Sequence, residues 1–253
     1  MEYAVLVDPE KCIGCRGCQV ACKRWNNKVA EKTKFSNEWT NPPKLSYNTY
    51  THIKFKLDYN QANGDTTWTF FNWRCMQCHD PACKEACPVN AITKYEEGPV
   101  VIDVDRCIGC KFCIPACPFD VPKFNTTTGK VDKCTMCFDR VPHKEPACVQ
   151  TCPTGALVFG ERETIIQKAK ERKAELNGYI YGAVDNKPLG GTSFIYVLKE
   201  KPSFYGLPKD VPESIAPEVS ILKNSKLLLI PAALGGLAYL ASWRQRRLNE
   251  KEE

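Results

Sequence analysis

All sixteen cysteines fall into four groups of four: Cys12, Cys15, Cys18, Cys22; Cys75, Cys78, Cys83, Cys87; Cys107, Cys110, Cys113, Cys117; and Cys134, Cys137, Cys148, Cys152. The first and third follow C-x2-C-x2-C-x3-C, the spacing by which thiolates hold [4Fe-4S] cubes. The second widens one gap to four residues, and the fourth stretches its middle gap to ten. Three closely spaced cysteines wrap three corners of one cube, with Gly14 or Gly109 easing the turn. The fourth lies about a helical turn further on and points toward a neighbouring cube. Sixteen thiolates supply four cubes with none left over, and the chemistry of such a row is one-electron transfer.

Two other uses of cysteine compete. A disulfide scaffold is usually short, secreted and preceded by a signal peptide, whereas Met1–Asp8 shows neither a basic start nor a long apolar run. Zinc is the stronger rival, because C-x2-C followed by C-x3-C closes a tetrahedral site. A basic zinc-binding interaction module is therefore the alternative of another class. Beside three cluster-type runs, the fourth group reads as cluster ligands too.

Charge and the remaining residues narrow the function. Hydrophobic residues make up 43% and charged residues 25%, which excludes wholesale disorder. The formal charge of +6 counts every cysteine as neutral. Metal-bound thiolates and oxidised cluster cores together bring the loaded chain to about −2, so charge gives no case for nucleic acid. Lys23, Lys84, Lys111 and Lys133 each neighbour a ligand cysteine, either raising cluster potentials or facing solvent. No Gly-rich phosphate loop occurs, and no nucleophile–base pair marks a catalytic centre. Of the three histidines, His52, His79 and His143, only His79 sits in a cysteine loop, where it is expected to bond cluster sulfur or face water. The expectation is an electron carrier with no catalytic residues and no small-molecule substrate of its own.

The elements that must position these loops can be read from repeats. Val5-Leu6-Val7-Asp8 leads into Cys12, and Val101-Ile102-Asp103 leads into Cys107, so a short strand delivers each loop. Proline follows Cys87, Cys117 and Cys152, ending the short helix that carries each. Groups two and three adjoin, which leaves groups one and four to pair over a distance. The fold expected is α+β: two nested ferredoxin-like [4Fe-4S]2 units with a β-hairpin insertion, plus one C-terminal transmembrane helix. Residues 1–24 and 125–160 form the first unit, and 75–124 the second. The insertion at 25–74 shows Ile53, Phe55 and Leu57 in alternation, Asn63-Gly64 as a turn and Thr66–Trp73 as a strand. Within it and beside it, Trp25, Trp39, Trp68 and Trp73 are candidates to shield clusters or to pack the core.

Beyond the cysteines, 161–198 is expected as an extension with a helix over Glu163–Leu176 and a strand over Phe194–Leu198. Four prolines make 199–226 an extended tether. Leu227–Trp243 carries no charge, holds Tyr239 and Trp243 toward its end, and is followed at once by Arg244, Arg246 and Arg247, the pattern of a short membrane anchor. It holds no histidine, so no haem is expected there. Residues 244–253 are a basic, charged tail. The slight basic excess after the span favours a cytoplasmic C-terminus and an extracytoplasmic (periplasmic) cluster domain.

The four spacings together resemble the iron–sulfur subunits of dimethyl-sulfoxide-reductase-type molybdopterin oxidoreductases, and within them the β subunits of membrane-bound formate dehydrogenase. Cys15–Lys23 with Trp25-Asn26, Asn41–Ser46, Gly190-Gly191-Thr192 and Tyr205–Asp210 carry that resemblance. It implies four [4Fe-4S] clusters: Cys12, Cys15, Cys18 and Cys152; Cys22, Cys134, Cys137 and Cys148; Cys75, Cys78, Cys83 and Cys117; and Cys87, Cys107, Cys110 and Cys113. It also implies partners: a molybdopterin (Mo or W) α subunit that oxidises formate, and a membrane cytochrome b (γ) subunit that reduces quinone. Export would follow a signal on the α subunit. The equivalent subunit of a polysulfide, tetrathionate, nitrite or hydrogen complex is the alternative.

Overall fold

The computed structural model describes residues 1–35, 39–59, 64 and 66–212, all within one compact unit, Met1–Ser214. Strand β1 (Tyr3–Val7) delivers the first cysteine loop, and α1 (Gly17–Trp25) carries that loop's last two cysteines. A long antiparallel hairpin follows, β2 (Thr51–Tyr59) with β3 (Thr66–Arg74). Single-turn α2 (Ala82–Glu85) lies in the second loop. Two short hairpins, β4 (Ile92–Lys94) with β5 (Val100–Ile102) and β6 (Lys123–Asn125) with β7 (Lys130–Asp132), bracket the third. Single-turn α3 (Ala147–Gln150) carries Cys148. The chain continues through β8 (Leu157–Glu161), α4 (Arg162–Leu176), β9 (Tyr179–Tyr181) and β10 (Phe194–Leu198).

A four-stranded sheet in the order β8-β1-β10-β9 is the platform. Strand β1 runs antiparallel to β8 and parallel to β10, with Val5 opposite Phe194. Helix α4 packs Ile165 and Ala169 onto Ala4, Leu6, Ile180, Ile195 and Val197. Burying each isoleucine, leucine or valine side chain here contributes about 1.5–3 kcal/mol. The helix stops where Asn177 turns left-handed (φ +48°), and Gly178 N–H then donates to the Lys173 carbonyl at 3.1 Å.

Two expectations need correction. Residues 161–198 are no appendage, because β10 is the strand between β1 and β9. All five of its residues are buried, as a strand covered on both faces must be. Nor do residues 199–212 run free as a tether. Tyr205 and Leu207 are buried, Tyr205 lies 5.2 Å from the Phe71 ring, and the Pro212 carbonyl accepts from Leu189 N–H. The prolines bend this stretch so that its aromatic and aliphatic side chains reach the core. The remainder of the expected tether, the span at 227–243 and the tail lie outside the described residues. Among the described residues, no helix is long and apolar enough to cross a membrane.

Candidate iron–sulfur centres

Each cysteine loop makes the same backbone move. The residue before its second cysteine is left-handed: Gly14 (φ +66°), Gln77 (+55°), Gly109 (+69°) and Met136 (+57°). At Gly109 a Cβ would collide with the Gly129 carbonyl oxygen. At Gln77 and Met136 a side chain tolerates the conformation at a cost of about 1–2 kcal/mol. Gln77 is tied on both sides: its Nε2 donates to the Cys134 carbonyl at 2.8 Å, and its Oε1 accepts from Val100 N–H at 2.7 Å.

Folding gathers the thiols into four sets. Cys12, Cys15, Cys18 and Cys152 line one cavity with Phe70 and Asn72. Cys75, Cys78, Cys83 and Cys117 line a second with Lys133. Cys87, Cys107, Cys110 and Cys113 line a third beside Val131. In the remaining set, Cys22 faces Cys134, Cys148 and Cys137. Thiols cross between sets in pairs four residues apart. Cys18 and Cys22, separated by about 6 Å of rise along α1, belong to different sets, and so do Cys83 and Cys87, Cys113 and Cys117, and Cys148 and Cys152. The sets succeed one another in space, since Cys18 faces Cys148, Cys134 faces Cys75, and Cys83 faces Cys113.

The chemistry of these sets suits a multi-atom cluster. Thiols ring a cavity, and in a cube each thiolate takes a different iron. Among the described residues, no three Cys, His, Asp or Glu side chains converge to hold one ion. Burial pushes the thiols of Cys18, Cys83, Cys117 and Cys137 up to about 12 and that of Cys113 to about 11. A bare thiol here is neutral at pH 7, so binding iron releases its proton.

Hydrogen bonds reach several sulfurs. Asn72 Nδ2 lies 3.3 Å from Cys18 Sγ, Asn26 Nδ2 3.6 Å from Cys22 Sγ, and Arg74 Nη1 3.0 Å from Cys148 Sγ. Backbone N–H groups of Met136 and Ala91 reach Cys134 and Cys87 at 3.4 and 3.3 Å. The roles of Asn72, Arg74 and Gln77 escaped sequence reasoning, although proximity to Cys75 and Cys78 could have signalled them.

Other candidates separate. Lys84 and Lys111 are exposed, Lys23 is half-buried on the Asn48 carbonyl at 2.6 Å, and Lys133 is buried. His79 Nε2 lies 2.7 Å from the Glu2 carboxylate rather than on a thiol. Trp25, Trp39 and Trp68 are exposed, while Trp73 is buried beneath Lys54. The cross-strand pair Phe55 and Phe70 covers the Gly14 turn instead.

Comparison with known proteins gives these sets a context. Residues 66–162 match the 4Fe-4S dicluster domain family and residues 3–24 a 4Fe-4S binding domain. Over 243 residues the chain is 41% identical to the nitrate-inducible formate dehydrogenase iron-sulfur subunit of Escherichia coli (strain K12), covering 93% of this chain and 80% of the relative. The chain is a member of the family of formate dehydrogenase iron–sulfur subunits. It is also 34% identical to the formate dehydrogenase 2 subunit beta (cytochrome c-553) of Nitratidesulfovibrio vulgaris, covering 81% of this chain and 97% of that one. Similarity extends to the B subunit of the anaerobic dimethyl sulfoxide reductase of Escherichia coli, 34% identical over 66% of this chain and 77% of that subunit. As a formate dehydrogenase iron–sulfur subunit the protein binds four [4Fe-4S] clusters, and four thiol sets are the number it presents. The stretches without cysteine brace the loops: the Gly191 and Leu189 carbonyls accept from His79 and Asp80 N–H at 2.9 Å.

Proposed function

We propose that this chain carries electrons from a formate-oxidising molybdopterin (Mo or W) α subunit to a membrane cytochrome b subunit and so to quinone. The observation that carries this reading is the unbroken succession of four thiol sets, Cys18 to Cys148, Cys134 to Cys75 and Cys83 to Cys113. In this reading the four sets are the ligand sets, one cluster each. Bound [4Fe-4S] clusters supply one-electron reduction and re-oxidation. The protein's own residues space the centres through the four-residue cysteine pairs, exclude water with Phe55 and Phe70, and donate hydrogen bonds to sulfur from Asn26, Asn72 and Arg74. The subunit itself catalyses no reaction. Deleting it from the complex should abolish formate-to-quinone electron transfer while formate-dependent dye reduction persists at the α subunit. Retained electron transfer to quinone in the deletion would sink the proposal.

We further propose that 227–243 anchors the protein in a membrane, with the cluster domain periplasmic and the C-terminus cytoplasmic. Truncation after Ser225 should release the domain from membranes lacking the partner subunits, and equal binding would refute the anchor. The similarity to the dimethyl sulfoxide reductase B subunit supports a second reading, the equivalent subunit of another molybdopterin or hydrogenase complex. Activity of the co-purifying large subunit on formate, polysulfide, tetrathionate, nitrite or hydrogen separates the two.

A further inference from the structure

Two buried cations stand between the thiol sets. Arg74, the last residue of β3, is 1% exposed. Its Nε and Nη2 donate to Thr51 Oγ1 at 3.3 and 3.0 Å, its Nη1 to Cys148 Sγ at 3.0 Å, and its guanidinium lies 4.6 Å from the Phe194 ring centroid. Lys133 is 3% exposed, and its Nζ donates to the Val100 carbonyl and to the Cys134 carbonyl at 3.2 Å. No carboxylate stands among these partners. A buried charge without a counter-charge is strongly unfavourable, so what offsets these two must be sought among the thiols. Lys133 lines the cavity ringed by Cys75, Cys78, Cys83 and Cys117, and its ammonium also reaches the Cys134 carbonyl. Arg74 likewise faces Cys148, Cys134 and Cys18.

Arg74 thus bonds to the second set in the succession and faces the first, and Lys133 stands between the second and third. Cys134 is reached by both. The set of Cys87, Cys107, Cys110 and Cys113 has neither cation among the charges that act on Cys113. Adding an electron to a cluster adds negative charge, and a fixed positive charge in a low-dielectric interior stabilises the reduced form.

We propose that Arg74 and Lys133 set the reduction potentials of the clusters beside them, raising most the cluster of Cys22, Cys134, Cys137 and Cys148, which both cations face. The inference rests on the four-cluster reading above. Its test is an EPR-monitored redox titration of the assembled complex carrying Arg74→Gln or Lys133→Gln, with Arg74→Lys and Lys133→Arg as charge-retaining controls and iron and sulfide measured in each. Each Gln variant should move two of the four transitions to lower potential, one of them common to both variants. The expected size is about tenfold in the oxidised-to-reduced ratio at fixed potential, about 59 mV for one electron. The controls should stay near wild type. Four transitions unmoved by the Gln variants, all four moved alike, or controls that shift as far would overturn the proposal. If Arg74→Gln fails to assemble, Lys133→Gln decides alone. Fewer than four transitions in the wild type would instead overturn the four-cluster reading.

Discussion

Gly109 and His52 show how a single residue limits what this protein tolerates. The left-handed turn at Gly109 brings its Cα against the Gly129 carbonyl oxygen, so Gly109→Ala must displace the loop of Cys107 and Cys110. We expect iron to fall from about sixteen to about twelve atoms per chain, measured together with sulfide on the purified variant. His52 is buried, with Nδ1 lacking a hydrogen-bond partner. Burial, and secondarily the Lys54 charge, pull it down to about 4. Its folded value lies below the ordinary 6.5, so the unfolded polypeptide takes up the proton more readily. The contribution to stability is whole above pH 6.5 and is lost as pH falls toward 4. Between pH 7 and 5 the loss is about 2 kcal/mol. Thermal unfolding of wild type and His52→Gln should converge at the lower pH, and a gap that does not change with pH would count against this account.

At the scale of elements, the sheet and α4 form a core that owes nothing to iron. Ala4, Leu6, Ile165, Ala169, Ile180 and Ile195 pack there without a cysteine. Ile165→Ala should cost about 2–5 kcal/mol, seen as a lower unfolding midpoint with full cluster content. Ile53, Phe55 and Leu57 alternate with polar residues along β2, but burial there is graded instead. Ile53 is buried while Leu57 is 47% exposed, because only the base of the hairpin reaches the cluster loops. Alternation in the sequence therefore marked β2 without marking which part of it the core would cover.

Across the whole molecule, stability divides between that core and a second that includes cysteines of the thiol sets. Cys87, Cys107 and Cys113 pack with Ala91, Ile92, Val100 and Val131 around the third cavity. Metal–thiolate bonds close these loops, so removing iron should loosen them first. Hydrogen exchange after chelation should show protection lost in β4, β5, β6 and β7 while β1, β10 and α4 keep theirs. Uniform loss across both regions would mean that they unfold as one unit.

The cysteine spacing by itself determined the chemistry and the number of centres, because short gaps limit how thiolates can surround a cube. The hydrophobic pattern beyond the cysteines marked α4 and β10 nearly to the residue, since such patterns are local. Only the tertiary structure decided that residues 161–198 complete the sheet beside β1, a pairing between segments far apart in the sequence. It also separated Lys133 from three other lysines beside ligand cysteines, and revealed Arg74, Asn72 and Gln77 at the sulfurs and loop backbones. The grouping of the cysteines along the chain follows from spacing in the sequence. Burial, and the charge that burial makes effective, follows from what packs around a residue in space.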